Sequence, residues 1–187
     1  KTSATDMVTE LDAASERLIV DRLLAARSAD GVLGEEGTSR PGTSGVVWIV
    51  DPLDATTNYL YGFGAWAVSI AAEVDGVPTA ACVYDGVTGE VWQATAGAGA
   101  RVNHRDVRLG PSPVPLARAL VATGFGYTVT RRSVQVQTLT HVLPHVRDIR
   151  RAGSAALDLC YLADGRVDAY YERGIQPWDA AAGLLIA

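Results

Sequence analysis

The sequence predicts an α+β protein built as a layered sandwich, and three observations lead there. Strand-type and helix-type segments both occur, but without the regular strand–helix alternation of a parallel α/β fold. Short apolar runs broken by Asp-Gly and other turn formers fill residues 65–109, the pattern of an antiparallel meander. A chain of 187 residues, 48% hydrophobic and 20% charged, is long enough to bury one sizeable core.

Taken in order, Asp12 is the expected N-cap of a helix from Ala13 to Ala29, with Ile19, Leu23 and Ala26 on one face. Gly31-Val32-Leu33 is a short strand that delivers Gly34-Glu35-Glu36-Gly37, and the turn formers from Thr38 to Gly45 make a flexible connection. Val46 to Val50 is a strand. Ala65 to Val74 is another, turning at Asp75-Gly76 into Val77 to Tyr84, then through Asp85–Gly89 into Glu90 to Thr95. Ala100 to Leu109 holds a hairpin around Asn103-His104-Arg105-Asp106. Pro111, Pro113 and Pro115 form a linker, dividing a single domain into sub-lobes of about 1–110 and 116–187. Beyond it come a strand (Leu120 to Thr123), a helix (Arg131 to Leu143) and a strand (Val146 to Arg150). A helix from Ala155 to Ala163 opened by Gly153-Ser154, a strand (Val167 to Tyr171) and a last helix opened by Trp178-Asp179 follow.

Net charge is −5 with no basic block, which argues against a nucleic-acid partner. Cys82 and Cys160 stand alone in apolar stretches, as reduced cytoplasmic thiols do. No apolar run reaches the roughly 18 residues of a membrane span. His104, His141 and His145 are scattered, which disfavours a zinc site or a histidine-based triad. The chain begins without methionine at Lys1 and ends inside an apolar segment, so it reads as part of a longer protein.

Chemistry concentrates in Asp51-Pro-Leu-Asp-Ala-Thr-Thr-Asn-Tyr59, where an apolar strand ends in two carboxylates three residues apart. Two readings fit. Burying Asp51 and Asp54 at a strand end is costly without a cation between them, and Mg²⁺ prefers such oxygen donors. Alternatively, Asp-Pro and Asp-Ala-Thr are a strand exit that caps the next helix. Glu35-Glu36 and Asp179 repeat the arrangement of carboxylates just past an apolar strand or at a helix start.

Asp51–Tyr59 resembles the DP(I/L)DGTTNF signature of the inositol monophosphatase family, and Trp178-Asp179-Ala-Ala-Ala-Gly183 resembles its WDxAAG signature. Gly34-Glu35-Glu36 matches its GEE element. Lys1, Asp6, Val8, Thr9 and Asp12 are similar to its N-terminal Lys…DxVTxxD segment. The resemblance spans the whole chain and implies the αβαβα sandwich shared with fructose-1,6-bisphosphatase, here cut short at both ends. It makes Glu35, Asp51, Asp54, Asp179 and the Leu53 carbonyl ligands of two to three Mg²⁺ ions. It makes Glu35 and Thr56 the residues that position the attacking water, with Asp12 bonded to the Thr56 hydroxyl. Asp54 and the Ala55 and Thr56 N–H groups would meet the substrate, together with Gly153-Ser154-Ala155-Ala156 and Glu172. The implied reaction is hydrolysis of myo-inositol 1-phosphate by a metal-activated water, lithium-sensitive, in a cytoplasmic homodimer. Alternatives are a sugar-phosphate, histidinol-phosphate or 3′-phosphonucleotide phosphatase, or a non-catalytic regulatory protein on the same fold. Ala55 departs from the family's glycine; if that position needs a positive φ, its Cβ carries a cost, and turnover is expected to survive it.

Overall fold

The computed structural model of the chain describes residues 9–107 and 114–187; Lys1, Asp6, Val8, Leu109, Pro111 and Pro113 lie outside them. The first helix, α1 (Glu10–Ala26), starts earlier than the sequence suggests, because Thr9 and not Asp12 is its N-cap. Thr9 is extended, and its hydroxyl accepts from the N–H groups of Leu11 (3.1 Å) and Asp12 (3.3 Å). Asp12, the third helical residue, accepts from the Thr9 N–H at 2.9 Å and closes a capping box. At the other end the helix stops at Ala26, and Arg27 turns to the buried carboxylate of Asp30.

Eight strands form one mixed sheet in the order β2-β1-β3-β4-β5-β6-β7-β8. They are β1 (Gly31–Gly34), β2 (Ser39–Arg40), β3 (Val46–Asp54), β4 (Ala67–Val74), β5 (Val77–Asp85), β6 (Val91–Thr95), β7 (Gly99–Val102) and β8 (Arg105–Asp106). Only β1 and β3 run parallel; the meander from β3 to β8 is antiparallel throughout. Two corrections arise here. The connection from Thr38 to Gly45 contains β2, paired with β1 and anchored by Arg40, whose guanidinium donates to the Ser28 and Asp30 carbonyls. The strand expected to end at Val50 continues to Asp54, because a bulge accommodates Pro52, which has no N–H to give the ladder.

A smaller parallel sheet sets β9 (Leu120–Thr123) between β10 (Asp148–Arg150) and β11 (Ala169–Tyr171). Helices α4 (Ala155–Ala163) and α5 (Pro177–Ile186) pack on each other between the two sheets: α5 lies along β3, β4 and β5, while α4 also touches β9 and β11. The buried core joins Ile49, Ala71, Val83 and Trp92 of the large sheet to Leu157, Cys160, Ala182 and Ile186 of these helices. Gly183 permits the close approach, since a Cβ there would lie 2.7 Å from the Leu159 Cβ. Helix α1 packs against β3 and contributes nothing to that core, and the short α2 (Thr56–Leu60) follows β3 directly. Helix α3 (Val129–Val142) is tied to the loops of the small sheet by buried Gln135, which bonds Gly126 and the Arg173 carbonyl. The result is the layered α+β sandwich. Among the described residues no helix is long and apolar enough to cross a membrane.

Candidate active site

The bulge in β3 decides where the carboxylates point. Asp51 pairs with Ser69 and Asp54 with Ala67, so three steps on β3 oppose two on β4. Asp51 Oδ1 accepts from the Leu53 N–H at 3.0 Å, which holds the turn. Asp51, Leu53, Asp54, Ala55 and Thr56 then line one cleft of about 650 Å³. Glu35 enters it from the end of β1, its N–H bonded to the Val50 carbonyl at 3.1 Å. Asp179 enters from the first turn of α5, accepting from the Gln176 N–H at 2.6 Å. Glu172 follows β11 and lines the same cleft, where Tyr170 donates to its Oε2 at 2.8 Å and Gly124 leaves room for the carboxylate.

Three residues of the expected site stand behind the cleft. Asp12 lies beneath Thr56, whose Oγ1 is 2.9 Å from Asp12 Oδ1 and 3.1 Å from the Leu53 carbonyl, so one hydroxyl proton is shared between two acceptors. Ser154 is the N-cap of α4, and its Oγ donates to Asp54 Oδ2 at 2.5 Å. The Ala156 N–H donates to the same oxygen at 2.8 Å. Both residues are fully buried and act on Asp54, whereas their neighbours Gly153 and Ala155 face the cleft.

The electrostatics are those of clustered, buried carboxylates that repel one another. Burial, eased by a hydrogen bond to Asp51 and then worsened by repulsion from Asp179 and Asp54, pushes Glu35 up to about 8. Burial, eased by the Ser154 bond and worsened by Asp179, raises Asp54 to about 7. Asp51 is pushed well up by burial and then by Asp54 and Glu35, and Asp179 is raised by burial. Carboxylates that resist ionisation together are stabilised by a cation, and an all-oxygen donor set suits a hard divalent ion. The residues present therefore fit such an ion. Among the described residues no three potential ligands are already gathered around a point; they share walls of a cleft instead.

The sequence profile of the inositol monophosphatase family matches residues 1–187. The chain belongs to the inositol monophosphatase family. Its sequence is 48% identical over 196 aligned positions to the inositol-1-monophosphatase SuhB of Mycobacterium tuberculosis, covering 100% of this chain and 67% of that protein. It is 43% identical over 186 positions to the Nus factor SuhB of Vibrio cholerae, covering 98% and 69%. The crystal structure of the extragenic suppressor protein SuhB of Bartonella henselae superposes with a TM-score of 0.93 at 38% identity, covering 100% of this chain and 73% of that one. Inositol monophosphatases are phosphatases, and the layered sandwich is theirs.

Within this family frame Ala55 stands out. Its φ of 71° and ψ of 47° are left-handed, and it is 8% exposed. A Cβ in that conformation costs roughly 1–2 kcal/mol, part of which glycine returns through its freer unfolded chain. Ala55→Gly is expected to stabilise the protein by about 0.5–1 kcal/mol, a rise of roughly 1–4 °C in melting temperature, with turnover kept or increased. A lower melting temperature would show that the turn is unstrained.

Several residues in and beneath the cleft carry little signal in the sequence. Arg151 lines the cleft, packed against Gly153, while Arg150 pairs with Asp148. Arg131 reaches in from α3 between Gly126 and Gly174, its Nη1 on the Gly174 carbonyl at 3.3 Å. Asp158 lies one helical turn beyond Ser154 and is raised to about 7, by burial first and then by Asp54 and Glu172. Glu16, one turn after Asp12 on α1, is buried beneath the Glu35 loop. Spacing of four residues from a motif residue was the available signal for Asp158 and Glu16.

Proposed function

We propose that this chain carries the active centre of a Mg²⁺-dependent phosphatase that hydrolyses myo-inositol 1-phosphate to inositol and phosphate. The observation that carries the reading is the single cleft. Glu35, Asp51, Asp54 and Asp179 line it together with the Ala55–Thr56 turn and the half-buried carboxylate of Glu172. Bound by Glu35, Asp51, Asp54, Asp179 and the Leu53 carbonyl, Mg²⁺ supplies charge for the phosphoryl oxygens and lowers the pKa of the attacking water. The residues do the rest. Asp12 fixes the Thr56 hydroxyl, which with Glu35 orients a water toward phosphorus. The Ala55 and Thr56 N–H groups receive the phosphate, and Ser154 and Ala156 hold Asp54 in place. Glu172, steadied by Tyr170, accepts hydrogen bonds from hydroxyls of the leaving alcohol. The name of the Mycobacterium tuberculosis relative supports the choice of inositol.

The test is phosphate release by the purified whole protein, with Mg²⁺ or EDTA. Inositol 1-phosphate is compared with fructose 1,6-bisphosphate, histidinol phosphate and a 3′-phosphonucleotide. The highest kcat/KM is expected on inositol 1-phosphate, with none in EDTA; no release at saturating Mg²⁺ from any substrate overturns the reading. The Vibrio cholerae relative is named a Nus factor, which favours a second, regulatory reading. A purely regulatory protein would keep partner binding in Asp51→Asn and show no Mg²⁺-dependent turnover in either form.

A further inference from the structure

Asp158 is the buried acid of the cleft to which neither the signatures nor the reaction gives a task. It is 2% exposed and lines the cleft from α4. Its N–H continues the helix to the Ser154 carbonyl at 3.0 Å, but among the described residues no donor reaches its carboxylate. The charges that act on it are Asp54 and Glu172, which repel it, and Arg151, which attracts it. Buried carboxylates are almost always hydrogen-bonded, because lost hydration must be replaced by donors. For Asp158 the opening to those donors is the cleft, so what occupies the cleft is what supplies them.

The chemistry of that occupant follows from the neighbours. Glu172 already takes one donor, from Tyr170, and keeps its remaining capacity for the cleft. Two carboxyl groups with free acceptor oxygens facing the cleft are matched by a group that presents several O–H donors. They are mismatched by a second phosphate, which is itself an anionic acceptor. We propose that Asp158 is a specificity-determining residue that accepts a hydrogen bond from a leaving-group hydroxyl and, with Glu172, selects uncharged polyols. The proposal rests on the phosphatase reading above.

The experiment compares wild-type whole protein with Asp158→Asn on inositol 1-phosphate and on phenyl phosphate, whose leaving group carries no further hydroxyl. Replacing the carboxylate by an amide, whose oxygen is a weaker, uncharged acceptor and whose NH₂ opposes a hydroxyl donor, is expected to cost about 10- to 100-fold in kcat/KM on inositol 1-phosphate, expressed mainly in KM. Phenyl phosphate turnover should stay within about twofold, and inhibition by free myo-inositol should weaken in parallel with the inositol 1-phosphate KM. Equal losses on both substrates, or none on either, overturn the assignment. Kinetics are scaled to folded protein by melting curves, and Asp158→Ser supplies the same ratio should the amide variant not fold. A wild-type protein inactive on both substrates brings down the phosphatase reading and this one with it. An active wild type with equal losses brings down this one alone.

Discussion

Asp54→Asn is expected to lower phosphate release by about 10³-fold or more while making the metal-free protein harder to melt. The two effects share one cause. Asp54 is held by Ser154 Oγ at 2.5 Å and the Ala156 N–H at 2.8 Å, and the introduced amide can keep both bonds through its carbonyl oxygen. What it cannot keep is the charge. Burial and Asp179 raise Asp54 to about 7, so ionising it costs more in the folded chain than in the unfolded one. The sign follows: below about pH 4 the group is neutral in both states, and as pH rises toward 7 the unfolded chain ionises while the folded chain resists. Stability in EDTA therefore falls across that window, and the neutral variant removes the Asp54 share of the fall. Mg²⁺ reverses the order by binding only the folded wild type. Melting curves in EDTA and in Mg²⁺, beside phosphate release, check both halves. Retention of a tenth of the turnover, or a lower melting temperature than wild type in EDTA, contradicts the assignment of Asp54 as a ligand held against its own repulsion.

How much of this was legible in the sequence depends on whether the cause is local. Leu120–Thr123 and Ala155–Ala163 match the expected elements to the residue, because apolar runs bounded by turn and cap residues are complete local signals. The start of α1 lies three residues before the expected one because Asp12 also fits an N-cap; Thr9, one capping-box length earlier, wins it. Strand β3 was cut short at the Asp-Pro step, since its continuation depends on a bulge against β4. Strand β2 leaves no sequence signal because a two-residue edge strand is made by its partner and by Arg40, not by its own propensity. In the cleft, the acidic residues could be picked out from composition at strand and helix ends. Arg131 carries no such signal, since only the packing of α3 brings it there, and Asp158 shows only as a four-residue offset from Ser154. Ala55 lay between: the departure was visible, and the backbone conformation that gives it meaning was not.

The largest effect outside the cleft is expected from Glu16→Ala. Glu16 is 3% exposed, and its carboxylate accepts from the Glu36 N–H at 2.8 Å, the Thr38 N–H at 3.1 Å and the Thr38 hydroxyl at 2.6 Å. These bonds tie the loop that carries Glu35 to α1, and Gly34 lets the carboxylate come so close that a Cβ there would lie 2.3 Å from Oε2. Truncation leaves partly buried donors without their acceptor, a loss of about 3 kcal/mol or roughly 6–12 °C in melting temperature. It also frees Glu35 to move, so Mg²⁺ binding measured by calorimetry should weaken about 10- to 100-fold, as when a ligand's support is lost elsewhere. Glu16→Gln retains one good acceptor but turns an amide donor toward N–H groups, so it should fall between wild type and alanine. Gly34→Ala should weaken Mg²⁺ binding as well, because it displaces the same carboxylate without removing it. If Glu16→Ala titrates Mg²⁺ like wild type once both are folded, the Glu35 loop holds its shape without α1. The buried carboxylate would then serve stability alone.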